Sequence, residues 1–499
     1  MELIRTEIPY CEPSHEALSS FSESTDAIVP DAFPDIGRII CAAGAATVKD
    51  ELPQTDRILV SGMVNAVVLY QPEGESGVRK LSVPLSFAHI EEARGVTAES
   101  VCFVRCRVGG VTAKAVNSRK VSVTAQLCVE TDGYERRTAE LTEQIDPQAD
   151  ALEILSGQET IPLLEDAAVR EFTLLDDLEI PGGERLEIVT ASCELGSAGC
   201  QAMNGRAALK GDARLTLLAL DDTGAFQVLH QTIPYTQIVE CEDVQEGQTL
   251  AARLAVRHLD CMFAEGGVLS VGVGVGVLLL REGRHTLQTI RDLYHVHRTL
   301  ELEERQLALR GCHLCGPFTG ESTAVMPVSR PASEIISADA VCAGLQQSDD
   351  HTIRVSAQLS VLYRDADGVI CSASRQLPVN VPIPASEASA CVQDAALQVS
   401  ATPGGEGNLN LRLTVSGQLT ERPVLTLRDI TALSAGAPRK PCGGVDTTLI
   451  LRYIHAPEPL WEIAKQYAST VRAIRRANAL AEHTESVSDA MLLIPVYNR

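Results

Sequence analysis

Apolar residues alternate along the chain at three places. Val64, Ala66 and Val68, then Ala213, Leu215 and Leu217, then Ala357, Leu359 and Val361 each put their side chains on one face of an extended segment. A two-residue period of this kind marks a half-buried strand. Aligning Gly62 with Gly211 and Val355 sets the copies 149 and 144 residues apart. Each strand runs into a polar turn with glycine (Gly74 and Gly77, Gly224, Gly368), then a second strand whose proline lies ten residues on: Pro84, Pro234, Pro378. Asp221 to Gly224 and Asp365 to Gly368 have hairpin chemistry, since glycine tolerates the positive φ such turns need. A short apolar run opens each copy (Ile39–Ala42, Ile188–Ala191, Ile335–Ala338). A strand pair around Gly109-Gly110, Gly266-Gly267 or Gly404-Gly405 closes it. Matched spacing in three copies predicts a mainly β chain with three repeated β-rich domains, at residues 31–140, 181–295 and 326–425.

Around them the pattern predicts an N-terminal arm (1–30), an acidic joint (141–180), a second joint (296–325) and a Gly, Pro and Ala-rich linker (426–446). Glu171–Ile180 and Thr299–Leu307 suit either strand or helix. Val271 to Val277 alternates valine with glycine and continues into Leu278-Leu279-Leu280. A phosphate-binding loop would open into a helix, so this run predicts a strand with a flat glycine face closely approached by another element.

After the linker the period changes. Leu449–Ile454 is a strand candidate; Pro459 suits the first position of a helix, and Leu460, Trp461, Ile463, Ala464 and Tyr467 follow at helical spacing. Thr470 can cap a second helix with the apolar face Val471, Ile474 and Ala477, and Met491–Pro495 closes with a strand. Residues 447–499 are therefore expected to form a small α+β module of order βααβ.

Charge divides the same way. The 499 residues carry 42 Lys and Arg against 66 Asp and Glu, a net −24. Residues 447–499 hold six basic and five acidic side chains, a net +1, which leaves −25 on the rest. Such acidity argues against nucleic acid as a partner of the body and against a basic membrane-docking surface. The start of the chain lacks signal-peptide character, and no stretch approaches the roughly 20 apolar residues of a bilayer span. Fifteen cysteines, an odd number scattered singly through apolar runs, read as reduced and mostly buried thiols of a cytoplasmic protein. His295, His297, Cys312 and Cys315 are zinc-ligand types, but a lone Cys-x-x-Cys favours incidental residues in a joint, so neither metal nor cofactor is expected. No Gly-x-Ser-x-Gly, His-Glu-x-x-His or Walker pattern occurs, and no catalytic residue is assigned. Arg472, Arg475 and Arg476 fall on neighbouring positions of the second helix and form a candidate basic face for an acidic partner. Exposed strand edges on the repeats point to self-association or strand addition by a partner.

Tyr453-Ile454, the run Pro459-Leu460-Trp461-Glu462-Ile463-Ala464-Lys465-Gln466-Tyr467, Thr470-Val471, Ile474, Asn478 and Leu492-Leu493-Ile494-Pro495 resemble a LysM domain. The resemblance implies a βααβ module whose usual ligand is the N-acetylglucosamine glycan of peptidoglycan or chitin. In that family the ligand meets two loops, which here hold Pro457, Glu458, Pro459 and Leu460, and Asn478, Ala479 and Leu480. The family's Gly-Asp-Thr is replaced by Pro457-Glu458-Pro459, which removes two backbone donors, and its Gly-Gln near the last strand is Asp489-Ala490. Separately, the run Val29-Pro30-Asp31-Ala32-Phe33-Pro34-Asp35-Ile36-Gly37-Arg38-Ile39-Ile40, with Val60-Ser61-Gly62 to Tyr70, resembles the SPOCS domain. Several such domains followed by a LysM domain is the layout of SipL-like spore morphogenesis proteins of endospore-forming bacteria. The layout implies a non-enzymatic scaffold in the mother-cell cytoplasm, at the forespore surface or spore coat. Its LysM module would engage a coat-basement morphogenetic protein. The alternative is a peptidoglycan-binding protein of the cell or spore envelope.

Overall fold

The computed structural model describes residues 2–74, 77–146, 151–196, 199–349, 352–383, 390–440, 442–444 and 446–497. Residues 147–150 of the expected acidic joint, and 441 and 445 of the expected linker, lie outside the described residues. Among the described residues the chain is mainly β, 76% strand with two α-helices.

One pairing scheme occurs three times. The first copy comprises β1 (Leu3–Ile28), β2 (Ile36–Gln54), β3 (Arg57–Pro72), β4 (Arg79–Glu92), β5 (Val101–Asn117) and β6 (Lys120–Ile145). The second comprises β7 (Leu152–Glu179), β8 (Glu187–Leu195), β9 (Gly199–Met203), β10 (Arg206–Leu220), β11 (Phe226–Glu240), β12 (Thr249–Phe263) and β13 (Val268–His295). The third comprises β14 (Arg298–Arg310), β15 (His313–Pro327), β16 (Ala332–Asp349), β17 (Thr352–Asp365), β18 (Ile370–Pro382), β19 (Ala390–Pro403), β20 (Asn408–Glu421) and β21 (Val424–Pro438). In each copy the first strand returns to pair antiparallel with the last, and an antiparallel meander forms a second sheet: β2-β3-β4, β8-β10-β11 with β9 also paired to β10, and β16-β17-β18. The alternating residues found in the sequence lie between the two sheets. Val64, Ala66 and Val68 meet Val104, Val121 and Leu127 in the first core, and the same holds for Leu215 in the second and Leu359 in the third.

The segments expected as arm, joints and linker are strands, and this is the main correction. Residues 3–28 of the arm pair along their length with β6; the acidic joint supplies β7; the second joint supplies β14 and β15; the linker is strand β21 up to Pro438. These long strands overrun their own sandwich. Their far ends form three two-stranded ribbons, which share the clusters Ile8, Leu141, Leu163, Leu309 and Leu427, and Ile145, Ile290, Leu293, Ile430 and Leu433. Burying apolar surface from all three copies at once explains why segments with poor strand patterns are ordered.

A polar network joins the copies where their sheets meet. Arg253 and Asp132, whose side chains are 2% and 4% exposed, pair at 2.7 Å across β12 and β6. Arg253 also donates to Gln393 of β19; Gln393 donates to Glu16 of β1, and Glu16 pairs with Arg422. Arg257 bridges to Glu51 at 3.0 Å and lies over the Phe103 ring at 5.1 Å. Buried charge pays a desolvation penalty that only close pairing offsets, so these contacts set how the copies fit together.

Two motifs acquire a local explanation. Arg119 donates to the carbonyls of Val29 and Phe33 (both 3.0 Å) and to Asp35 (2.9 Å), and the Tyr70 hydroxyl donates to Pro34 O, which holds the Pro-Asp-Ala-Phe-Pro-Asp run against the β5–β6 turn. The glycine face of β13 is not covered by a separate element as expected. Side chains of the adjacent strands fill it: Leu175 and Asp260 beside Gly272, His258 beside Gly274 and Arg257 beside Gly276.

Candidate functional site

The terminal residues fold as β22 (Leu449–Ile454), β23 (Glu458–Pro459), α1 (Leu460–Gln466), α2 (Val471–Ala477), β24 (Ser486–Val487) and β25 (Ala490–Pro495). Antiparallel β22–β25 and β23–β24 pairs bracket the helices. Leu460, Ile463, Ala464, Ile474, Leu492 and Ile494 form the core. Thr470 caps α2 as expected, its hydroxyl accepting from Ala473 N at 3.0 Å. Pro459 stands one residue before α1 rather than at its first position. It is held extended (φ −64°, ψ 134°) by pairing with Ser486, while Leu460 N donates to Glu485 O.

The first loop singled out from the sequence forms β23 and the second leads out of α2, and in both the polar side chains are engaged within the module. Glu458 pairs with Arg452 at 2.9 Å. Asn478 is a clamp: Nδ2 donates to Ile474 O (2.8 Å) and Leu493 O (2.7 Å), and Oδ1 accepts from Leu493 N (2.7 Å). Leu480 packs against the core and its N–H donates to Arg475 O. Ala479, at φ 53°, makes the tight reversal between them. Pro457 is exposed. The basic face is smaller than expected. Arg472 and Arg476 are exposed one turn apart, but Arg475 donates through Nε and Nη2 to Thr484 O (3.0 and 2.7 Å) and braces the second loop.

Sequence reasoning missed the dock. Asp292 of β13 accepts from Trp461 Nε1 (2.8 Å) and from Lys465 Nζ (2.8 and 2.6 Å). Tyr294 meets the Trp461 ring edge-on at 5.0 Å and donates its hydroxyl to Ser469 O. Burial works to raise the Asp292 pKa, but the Lys465 and Trp461 hydrogen bonds outweigh it and hold the carboxyl below its ordinary value. The dock is therefore at full strength above about pH 4 and fades as pH falls below it. Asp292→Ala should cost about 1.5–3 kcal/mol of docking free energy. The chain has one tryptophan, so its emission reads the dock directly, and a red shift at neutral pH is expected.

The zinc-type residues do not converge. Strand β14 separates His295 and His297 from Cys312 and Cys315 by about 40 Å. His295 Nδ1 accepts from the backbone N–H of His297 and Arg298, and burial, then the neighbouring His297, lowers its pKa. His313 Nδ1 lies 2.9 Å from the buried Glu282, and burial pushes the Cys312 thiol up to about 11. Among the described residues no three His, Cys, Asp or Glu side chains gather around a common point, no helix is long and apolar enough to cross a membrane, and the cysteines are free thiols.

No protein-family model, curated protein or solved structure matches the chain.

Proposed function

We propose that the chain is a non-enzymatic scaffold of spore coat or envelope assembly, recruited to the forespore surface in the mother cell by protein–protein binding through its LysM-like module. The loop chemistry is the main support. A glycan acetamide needs free backbone donors, but prolines occupy 457 and 459, and the N–H groups of Leu460 and Leu480 are spent on Glu485 O and Arg475 O. Asn478 is likewise spent on the backbone of β25. What remains outward on α2 is a pair of cationic side chains, Arg472 and Arg476, suited to an acidic protein surface. Three copies of one sandwich on the same chain supply further contact surfaces, and effective concentration lets weak contacts act together.

A fluorescent fusion in a sporulating host tests the reading. The full chain should gather at the forespore surface, and the R472E/R476E double variant should lose that signal several-fold while Trp461 emission of the purified protein stays unchanged. Diffuse signal from the parent chain throughout sporulation, or saturable muropeptide binding by the purified chain, would count against it.

A further inference from the structure

Sheet edges in the body and in the module are built differently. Strands β4, β11 and β18 are edges, and each carries its proline mid-strand: Pro84 opposite Asn65, Pro234 opposite Asp212 and Pro378 opposite Ser356. Strands β5, β12 and β19 are the edges of the companion sheets, and each breaks register, at Val108/Gly110, Val256/His258 and Gln393/Ala396. A missing N–H and a bulge both discourage a further strand from adding. The repeat edges, where self-association was expected, are thus interrupted. Strand β22 has neither device: it holds Leu449↔Pro495 through Ile454↔Ala490 without a shift.

Asn478 decides which edge of this two-stranded sheet is open. Its amide takes both backbone groups of Leu493, so they point away from β22 and that edge of β25 is closed. Residues directly opposite in an antiparallel pair either face each other or both face away. Leu451, opposite Leu493, therefore also points away, as do Leu449 and Tyr453 two residues to either side. Their backbone groups line the outer edge of β22 and meet no partner among the described residues. The side chains of the same residues, with Met491, form an uncharged outer face: Leu449 51%, Leu451 59%, Tyr453 45% and Met491 55% exposed. Among the described residues, the hydrogen bonds that tie the module to the body involve Trp461, Lys465, Gln466 and Ser469, and none involves β22.

We propose that the edge of β22 is a strand-pairing site for a second copy of this chain, antiparallel about a twofold axis at Leu451. The strand is self-complementary in that register. Leu451 meets its counterpart, Leu449 meets Tyr453, and Arg452 falls opposite Ile450, so no like charges face each other. The charge distribution makes this edge the place where two copies repel least, since the bodies carry −25 each and residues 447–499 only +1. Packing the apolar faces together would cover only on the order of 500 Å² per copy, short of the roughly 800 Å² of a stable dimer, so the backbone ladder is the stronger contact. The pairing does not depend on the partner reading above.

Sedimentation equilibrium of the purified full chain over roughly 1–200 µM should show a monomer–dimer equilibrium with a Kd of ~10–100 µM. Leu451→Lys sets like charges directly opposite and should weaken it at least ~10-fold. Leu451→Cys should give an oxidised dimer that the parent chain does not, because paired Cα atoms about 5.5 Å apart suit a disulfide. Trp461 emission checks that the module of each variant is folded. A chain monomeric throughout, a dimer untouched by Leu451→Lys, or equal cross-linking in the parent chain would each overturn the proposal.

Discussion

Replacing Asp132 with alanine is expected to destabilise the protein by about 3–5 kcal/mol, seen as a lower denaturant midpoint. The carboxylate sits 2.7 Å from Arg253, with both side chains almost fully excluded from water. Burial alone would lower the Arg253 pKa; the Asp132 charge beside it outweighs that and holds it well above the ordinary value. Removing Asp132 leaves the guanidinium buried with only neutral direct partners, Gln393 and Tyr134, and an uncompensated buried charge costs more than the pair contributed. The comparison that isolates this cause is Asp132→Leu with Arg253→Met. That double variant removes both charges and should recover most of the loss. If it is no better than Asp132→Ala, the pair is not what positions the first and second copies.

Gly62→Val is expected to cost about 2–3 kcal/mol, again as a lower denaturant midpoint. A Cβ at Gly62 would come 2.2 Å from Thr47 O and 2.5 Å from Phe87 Cζ. Phe87 lies directly opposite Gly62 across the β3–β4 pair, and its ring occupies the space a side chain would take. The second copy repeats the arrangement with Gly211 opposite Tyr235, whose hydroxyl would stand 2.7 Å from an added Cβ. The third copy fills the same place with Val355 opposite Val379. Two solutions to one packing problem thus coexist in the chain. Converting the first copy to the third copy's pair, Gly62→Val with Phe87→Val, should recover at least about 1 kcal/mol relative to Gly62→Val alone. Full recovery is not expected, since the Thr47 carbonyl stays in place.

The elements legible in the sequence are those whose cause lies within a few residues. Alternation at Val64, Ala213 and Ala357 marks central strands of the meanders because one face is buried and the other is not. Gly224 and Gly368, both at φ 79°, close the hairpins expected of them. The terminal helices follow from Thr470 and the spacing of Leu460, Ile463 and Ile474. Strand β1 had no comparable signal: Pro9, Pro13 and a serine-rich middle argue against a strand, and only the ladder with β6 makes it one. Residues 426–438, expected as part of a linker for the same reason, are strand because β14 supplies the missing pairing.

The candidate site divides along the same line. That the terminal residues form a distinct, nearly neutral module with α2 arginines is local information, carried by period, capping and charge. What each polar group does there is not. Asn478 and Arg475 have the same composition whether they meet a ligand or brace a loop, and only the positions of Leu493 and Thr484 decide for bracing. Asp292 and Tyr294 lie 169 and 167 residues before Trp461, and nothing in their own neighbourhood distinguishes a docking acid from a solvated one. The sequence by itself determined the strand-forming repeats, their turns, the terminal helices and the split of charge, because these follow from interactions between near neighbours. Only the tertiary structure decided that arms and joints become long shared strands, that Asp132 pairs with Arg253, and that β22 alone of the edges considered is uninterrupted, because each depends on which distant backbone or charge lies opposite.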